Sequence, residues 1–457
     1  MGRLSGIFRG DRVIWVIYIA LCLISLVEVF SATSTLTFGT GNYMDPIIHH
    51  ARFLLAGLVI VLIVSHMPCY YFRAYFMPLG AIISVVMLLL LLLGFGVTLN
   101  EGTRWLKVPG ADITIQPSEI AKGVLITYIA YVLAMNQTDS GTTPQTFKLI
   151  LVPSAVVCAL ILPNNLSTAA ILFVVTLLFM FVGRVSLVSI GKTISVLLIA
   201  GLSGIYLLYS ISDSAAQKLA KDVPVIGKRV NTWKNRIFDK DKTKVVTPED
   251  FDIDKNSQVG HSCIAIASSN VLGKGPGNSQ QRNSLPQAYS DFIYSIIVEE
   301  FGLVGAVVVV GLYVLLLFRV CYISRRFTDQ AFPPFLAMGL ALLIVVQAMV
   351  NMLVATDIGY VTGQPLPLIS RGGTSTLINS MYIGMILSAS RMSRKQRKLR
   401  ASSSSVAPAA AAPIVAATPP EPAQSALPDD IPPAEQTARE IAAGNFDPVP
   451  TDDAPDK

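Results

Sequence analysis

GNSQQRNSLPQAYSDFIYSIIVEEFGLVGA, residues 277–306, passes from a polar loop into an apolar run. Asn278, Ser279, Gln280, Gln281 and Arg282 open it. Leu285 and Pro286 punctuate it, since proline fixes φ in a way that suits a helix start. Asp291 then stands among Tyr289, Phe292 and Tyr294, just before the apolar residues. A carboxylate, an arginine and several amides do not make a lipid-facing surface. Charge at that depth is costly and turns toward a cavity or a partner. The stretch therefore reads as the floor of an active site at the mouth of a membrane protein.

Composition agrees. Of 457 residues, 52% are hydrophobic and only 14% charged, with a mean hydropathy of +0.58. A soluble domain carries about 25% charged residues, so the chain is polytopic. Arg3, Arg9 and Arg12 precede the first apolar run, which is long and lacks a cleavage site; it reads as a retained span. The net charge of +6 belongs to loops and flanks. No basic stretch interleaved with stacking aromatics is present, which excludes a nucleic-acid groove. The five cysteines form no CxxC pair, so neither a zinc site nor a disulfide frame is indicated. His49 and His50 are adjacent, and neighbouring side chains rarely converge on one ion.

Ten apolar runs approach the roughly 20 residues needed to cross a bilayer. They are 13–30, 53–66, 75–96, 118–135, 147–162, 166–182, 187–211, 302–320, 335–354 and 377–390. The fifth and sixth are short, parted only by Pro163, Asn164 and Asn165. The expected fold is all-α, with about ten transmembrane helices and a large external loop, 212–290, between helices 7 and 8. A cytoplasmic N-terminus, 1–12, precedes a transmembrane domain, 13–395. Lys and Arg in short loops set orientation. Arg73, Lys148, Arg184, Lys192, Arg325, Arg326 and the RMSRKQRKLR segment at 391–400 share one side if both termini are cytoplasmic. Three polar loops, near 100–117, 212–290 and 357–376, then meet on the outer face, as a site for a lipid-borne polar head group requires. Residues 396–457 turn rich in Ala, Pro and Ser and read as a disordered cytoplasmic tail.

Several separated motifs carry a resemblance. They are VFSATS at 29–34, GTRWL at 102–106, QPSEIAK at 116–122, GKGPGNSQQR at 273–282, LPQAYSDFIYSIIVEEFGLVGA at 285–306 and GQPLPLISRGGTS at 363–375. In this order the chain resembles the SEDS family (shape, elongation, division and sporulation) over about residues 10 to 395. The resemblance implies a peptidoglycan glycosyltransferase that polymerises lipid II on the outer face of the bacterial cytoplasmic membrane. It also implies a class B penicillin-binding protein as transpeptidase partner, and other membrane proteins of the division complex. The extended tail favours the septal branch of the family over the elongation branch. The sequence departs from the family pattern at Asn165, where an Asp is usual, at Gln287 and Tyr289, which replace an acid and a histidine, and at Arg371, which replaces a tyrosine.

Glycan polymerisation needs an acceptor hydroxyl activated beside a sugar–diphosphate bond. One general base suffices, and cations or amide donors stabilise the departing diphosphate. An α-linked donor and a β1,4 product imply a single inverting displacement. Asp291 matches the family's catalytic Asp; its ordinary alternative is a helix cap or first-turn acid. Glu119 and Lys122, three apart, share a helix face and can pair. The resemblance makes them a cavity-facing pair, and a structural ion pair is the other reading. Arg104, Arg282 and Arg371 are diphosphate candidates, against solvated or interfacial loop charges, with Asn278 and Ser279 as further substrate contacts. Glu299 and Glu300 point about 100° apart on a helix and read as structural hydrogen-bonding groups. The basic patch of Lys228, Arg229, Lys234 and Arg236 reads as membrane attraction. A divalent cation, Mg or Mn, is an expectation of the phosphate chemistry, without a ligand cluster to show it. Two other functions compete. A precursor flippase needs charges through the midplane, whereas the polar residues here cluster at outer span ends. A non-catalytic division scaffold would tolerate Asp291→Asn.

Overall fold

The computed structural model describes residues 8–33, 44–99, 102–107, 114–139, 141–210, 257–285, 288–327, 331–359 and 362–405. Most of the 212–290 loop, the basic patch at 228–236, Pro286, Gln287 and the tail beyond Ser405 lie outside them. The chain divides into two compact units, 1–402 and 403–457, and the architecture belongs to the first.

Among the described residues, each of the ten apolar runs lies largely on a helix, because a segment in hydrocarbon must satisfy its own backbone. These are α1 (Arg12–Thr33), α2 (Asp45–His66), α3 (Cys69–Leu92), α4 (Pro117–Met135), α5 (Pro144–Ile161), α6 (Leu166–Val182) and α7 (Leu187–Ser210). After a short helix α8 (Ser257–Ala267) come α9 (Ile293–Ser324), α10 (Phe332–Ala355) and α11 (Thr374–Ser405). Among the described residues, eight are long and apolar enough to cross a membrane; α6 is shorter, and the apolar part of α11 continues into its basic end. That helix runs about nine residues past 396, where the sequence placed the start of a disordered tail.

The helices are not equivalent. α4 and α10 are mostly buried and form the centre, while α7 is exposed along its length. α10 packs against α4, α6 and α9, and α9 also lies along α1. Helices hydrophobic all round belong to a protein core or a membrane. Here both environments are used, and the exposed Leu, Val and Phe of α7 and α9 face outward.

Two features depart from expectation. The loop before α4 is not merely polar: β1 (Val97–Leu99), β2 (Gly102–Lys107) and β3 (Thr114–Ile115) form an antiparallel sheet, with Leu106 opposite Ile115. The eighth span begins at Ile293, not at 302. Gly302 instead breaks α9, at φ 66° and ψ −161°, a conformation essentially restricted to glycine. The freed carbonyls are taken up by a neighbouring loop: Lys274 N donates to Glu299 O at 3.0 Å and Gly275 N to Glu300 O at 2.8 Å.

Candidate active site

Asp291 sits in the turn immediately before α9. The residue at the helix cap is Phe292, and no side chain caps that end, so Asp291 is not the N-cap. Its Oδ1 accepts from Ser290 Oγ at 2.9 Å, and its main-chain oxygen accepts from Asn351 Nδ2 at 2.8 Å. Burial raises the carboxyl above the ordinary range of an aspartate; the Ser290 hydroxyl and the charge of Arg104 pull it back down.

Arg104 stands on β2, where the sequence predicts only a loop. Its Nη1 donates to Gly363 O at 3.4 Å. Gly363 has φ +59°, and a Cβ there would lie 2.8 Å from Arg104 Nη1 and 3.5 Å from Asp291 Oδ2. The absent side chain thus lets the cation and the carboxylate flank one point on the 363–371 loop. That loop is firmly held. Leu366 N donates to Ser370 Oγ at 2.8 Å, Ser370 Oγ donates to Ser290 O at 2.5 Å, and Tyr313 OH of α9 donates to Pro367 O. Within it Leu368 holds φ +68°, which a leucine seldom adopts without such support. Arg371 is anchored at the same place: its N–H donates to Tyr289 O at 3.0 Å, and its guanidinium lies 5.4 Å from the Tyr289 ring centre.

Glu119 and Lys122, in the first turns of α4, connect to that loop through Gln347. Both are buried, with Lys122 Nζ 2.8 Å from Glu119 Oε1 and 2.8 Å from Gln347 Oε1. Gln347 Nε2 in turn donates to Pro365 O at 3.3 Å. One turn along α10, Asn351 Nδ2 bridges Asp291 O and Gln364 O, the latter at 2.7 Å. Gln364 Nε2 donates to Thr168 Oγ1 at 2.7 Å, and Asn165 caps α6 by accepting from Thr168 N at 3.1 Å. Asparagine caps a helix about as well as aspartate, so the residue found where the family usually has an Asp still orders this corner. The sequence alone assigns no site role to Gln347, Asn351 or Gln364. The signal for the first two is a pair of amides four apart in an apolar run, hence on one helix face.

The other candidates occupy a second network. Ser279 is buried and its hydroxyl donates to Glu299 Oε2. Glu299 Oε1 also accepts from Lys274 Nζ at 2.7 Å and Gln280 N at 3.1 Å, and Glu300 Oε2 accepts from Gly277 N at 2.9 Å. The two glutamates therefore hold the loop against the α9 break. Arg282 Nη1 is 3.2 Å from Ser31 Oγ, whose own hydroxyl donates to Glu300 Oε1. Asn278 is exposed and its amide donates to Lys274 O at 3.0 Å. Thus Asp291, Arg104, Arg371, Glu119 and Lys122 converge around the 363–371 loop, while Arg282, Ser279 and Asn278 converge on Glu299 and Glu300. Among the described residues, no three His, Cys, Asp or Glu side chains gather as metal ligands.

The profile of the family described as "Cell cycle protein", which groups FtsW, RodA and SpoVE, matches residues 11–395. The chain belongs to this family. It is 31% identical over 386 residues to a protein of Halomonas elongata named "Probable peptidoglycan glycosyltransferase FtsW", covering 83% of this chain and 90% of that one. A namesake from Trichlorobacter lovleyi is 28% identical, covering 83% and 93%. The fold is similar to that in "Structural coordination of polymerization and crosslinking by a peptidoglycan synthase complex", with TM-score 0.58, 21% identity and coverage of 84% and 98%. It is also similar to the crystal structure of Thermus thermophilus RodA, with TM-score 0.55, 20% identity and coverage of 84% and 97%.

Proposed function

We propose that the chain polymerises lipid II into glycan strands for septal peptidoglycan, by inverting β1,4 glycosyl transfer on the outer face of the bacterial cytoplasmic membrane. The observation that carries this reading is the placement of Asp291: a half-buried carboxylate with raised proton affinity, beside Arg104, at the mouth of an apolar bundle. Asp291 takes the proton of the acceptor hydroxyl as that oxygen attacks the anomeric carbon of the donor. The bond from that carbon to the phosphate oxygen breaks, and its electrons leave with the lipid diphosphate. Arg104, and Arg371 on the same loop, meet the charge that develops there. Glu119 and Lys122 hold Gln347 and hence the loop in place. A divalent cation would fit only in the common mode of one carboxylate plus substrate phosphates, with Asp291 as that carboxylate.

The names of the relatives support the substrate class, and the synthase complex supports a class B penicillin-binding protein as the crosslinking partner. The test is polymerisation from purified lipid II, with and without the cognate transpeptidase. Long glycan is expected at least when the partner is present. If no polymer forms but lipid II crosses a vesicle bilayer, the chain is a flippase; if neither occurs, it is a scaffold. For the septal role, depletion should give filamentous cells, and rounding of the cells would instead point to elongation.

A further inference from the structure

A cavity lies between the end of α2, the start of α3 and the middle of α11. Its volume is about 410 Å³, and it is lined by Val64, Met67, Phe72, Tyr75, Met381 and Met385 among others. Small-molecule sites run roughly 300–1,000 Å³. The site end is marked by the 363–371 loop just before α11. Arg391, 17 residues after the helix start at Thr374, donates from Nη1 to His66 O at 2.8 Å. At 1.5 Å per residue, that contact is about 25 Å further along the axis, and the lining residues Met381 and Met385 lie about 10–17 Å along it.

Three observations say what would fill it. The lining is apolar and aromatic, with no charged side chain. The wall is built by a π-helical turn, Phe72–Phe76, a distortion that recurs at functional sites. Around this turn the exposed side chains are those of an interface. Tyr71 stacks on Tyr75 with ring centres 5.7 Å apart, and Arg73 lies 5.7 Å from the Tyr70 ring centre and 5.9 Å from that of Tyr131. Arg73 is exposed, and Arg391 reaches His66, the neighbour of the lining residue Met67. An apolar cavity with tyrosines in its wall, Arg73 in the same turn and Arg391 at the carbonyl beside Met67 complements an amphiphile with a long hydrocarbon chain and an anionic head.

We propose that this cavity binds one acyl chain of an anionic phospholipid, whose phosphate rests at Arg73 and Arg391. The site is separate from the Asp291 centre and does not depend on the reaction assigned to it. Methionines suit such a lining, because flexible thioethers adapt to a mobile chain.

The test uses the full chain purified in detergent and titrated with phosphatidylglycerol or phosphatidylcholine. Phosphatidylglycerol should raise the unfolding temperature by on the order of 3 °C, and phosphatidylcholine by clearly less. Arg73→Gln should erase the difference between the lipids. Met385→Trp, which fills the cavity, should abolish both shifts. Equal shifts from the two lipids in the wild type, or a full phosphatidylglycerol shift in Met385→Trp, overturns the proposal. Should that variant fail to fold, the wild type is labelled with phosphatidylglycerol carrying a photoreactive group near the chain end. Label on the segments around 64–76 and 381–385 is expected. Its absence from both overturns the proposal, whether detergent or a helix of another protein then occupies the space.

Discussion

At Asp291 two influences oppose each other. Burial favours the neutral acid, while Ser290 and Arg104 favour the anion, and burial prevails. A carboxyl whose folded pKa lies above its unfolded value of about 3.9 binds its proton more tightly when folded. Its contribution to stability is full below the unfolded pKa and is lost as pH rises through the folded one. Two outcomes follow, the first at neutral pH and the second across a range of pH. Asp291→Asn should unfold at the same or a higher temperature than wild type, measured by a thermal melt. The polymerisation rate should also fall with acidification at a pH above that of an ordinary aspartate, as a pH–rate profile would reveal. A limb near pH 4 would contradict the raised proton affinity, and no limb at all would contradict the base role. Lys122→Met should be destabilising by about 3–5 kcal/mol, because it strands Glu119 without its cation in a buried site. Denaturant unfolding checks this, and Lys122→Arg should recover part of the loss. Asp291 and the Glu119–Lys122 spacing were legible in the sequence because charge in an apolar context is conspicuous. Gln347 and Asn351 were not, since their partners are backbone oxygens of Pro365, Gln364 and Asp291, distant in sequence.

The element that organises the second network is the break in α9. A sequence pattern records glycine but not φ, and the apolar run after Gly302 reads as the whole span. The residues before it, Ile293–Phe301, are helical as well. An added Cβ at Gly302 would collide with the carbonyls of Asn270 and Val271 and with Gly273 N. Gly302→Ala should therefore be destabilising by at least about 1–3 kcal/mol and detach the loop that Glu299 and Glu300 hold. Gly311→Ala, in the same helix with nothing near its Cβ position, should be neutral or slightly stabilising. A matched pair of melts separates a special backbone from ordinary helix propensity. Equal losses in both would mean the break is not needed. The β1–β2–β3 sheet was illegible for a related reason. Its strands are two to six residues long, and their role, presenting Arg104, emerges only from the contact with Gly363.

Across the molecule, the ten apolar runs foretold the helices well, since hydrocarbon admits little else. Which helices form the centre was not legible, because α4, buried, and α7, exposed, are similarly apolar in sequence. Long-range ties set the bundle. Arg319 of α9 meets Asp11 in a two-pronged bond of 2.9 and 2.8 Å, while Asp11 N donates to Ser390 Oγ of α11 at 2.9 Å. The segment before α1 thus joins three helices at the end far from Asp291. Arg319→Ala should lower stability by about 1–3 kcal/mol yet leave the polymerisation rate of the folded protein unchanged. A parallel melt and rate assay reads both.

The most direct measurement is the rate of glycan polymerisation from lipid II by Asp291→Asn relative to wild type, each with its transpeptidase and each shown by a melt to be folded. Loss of a positioned general base should lower the rate by about 10²–10⁴-fold. A folded Asp291→Asn protein that polymerises as fast as wild type would contradict the assignment of Asp291 and place the chemistry elsewhere.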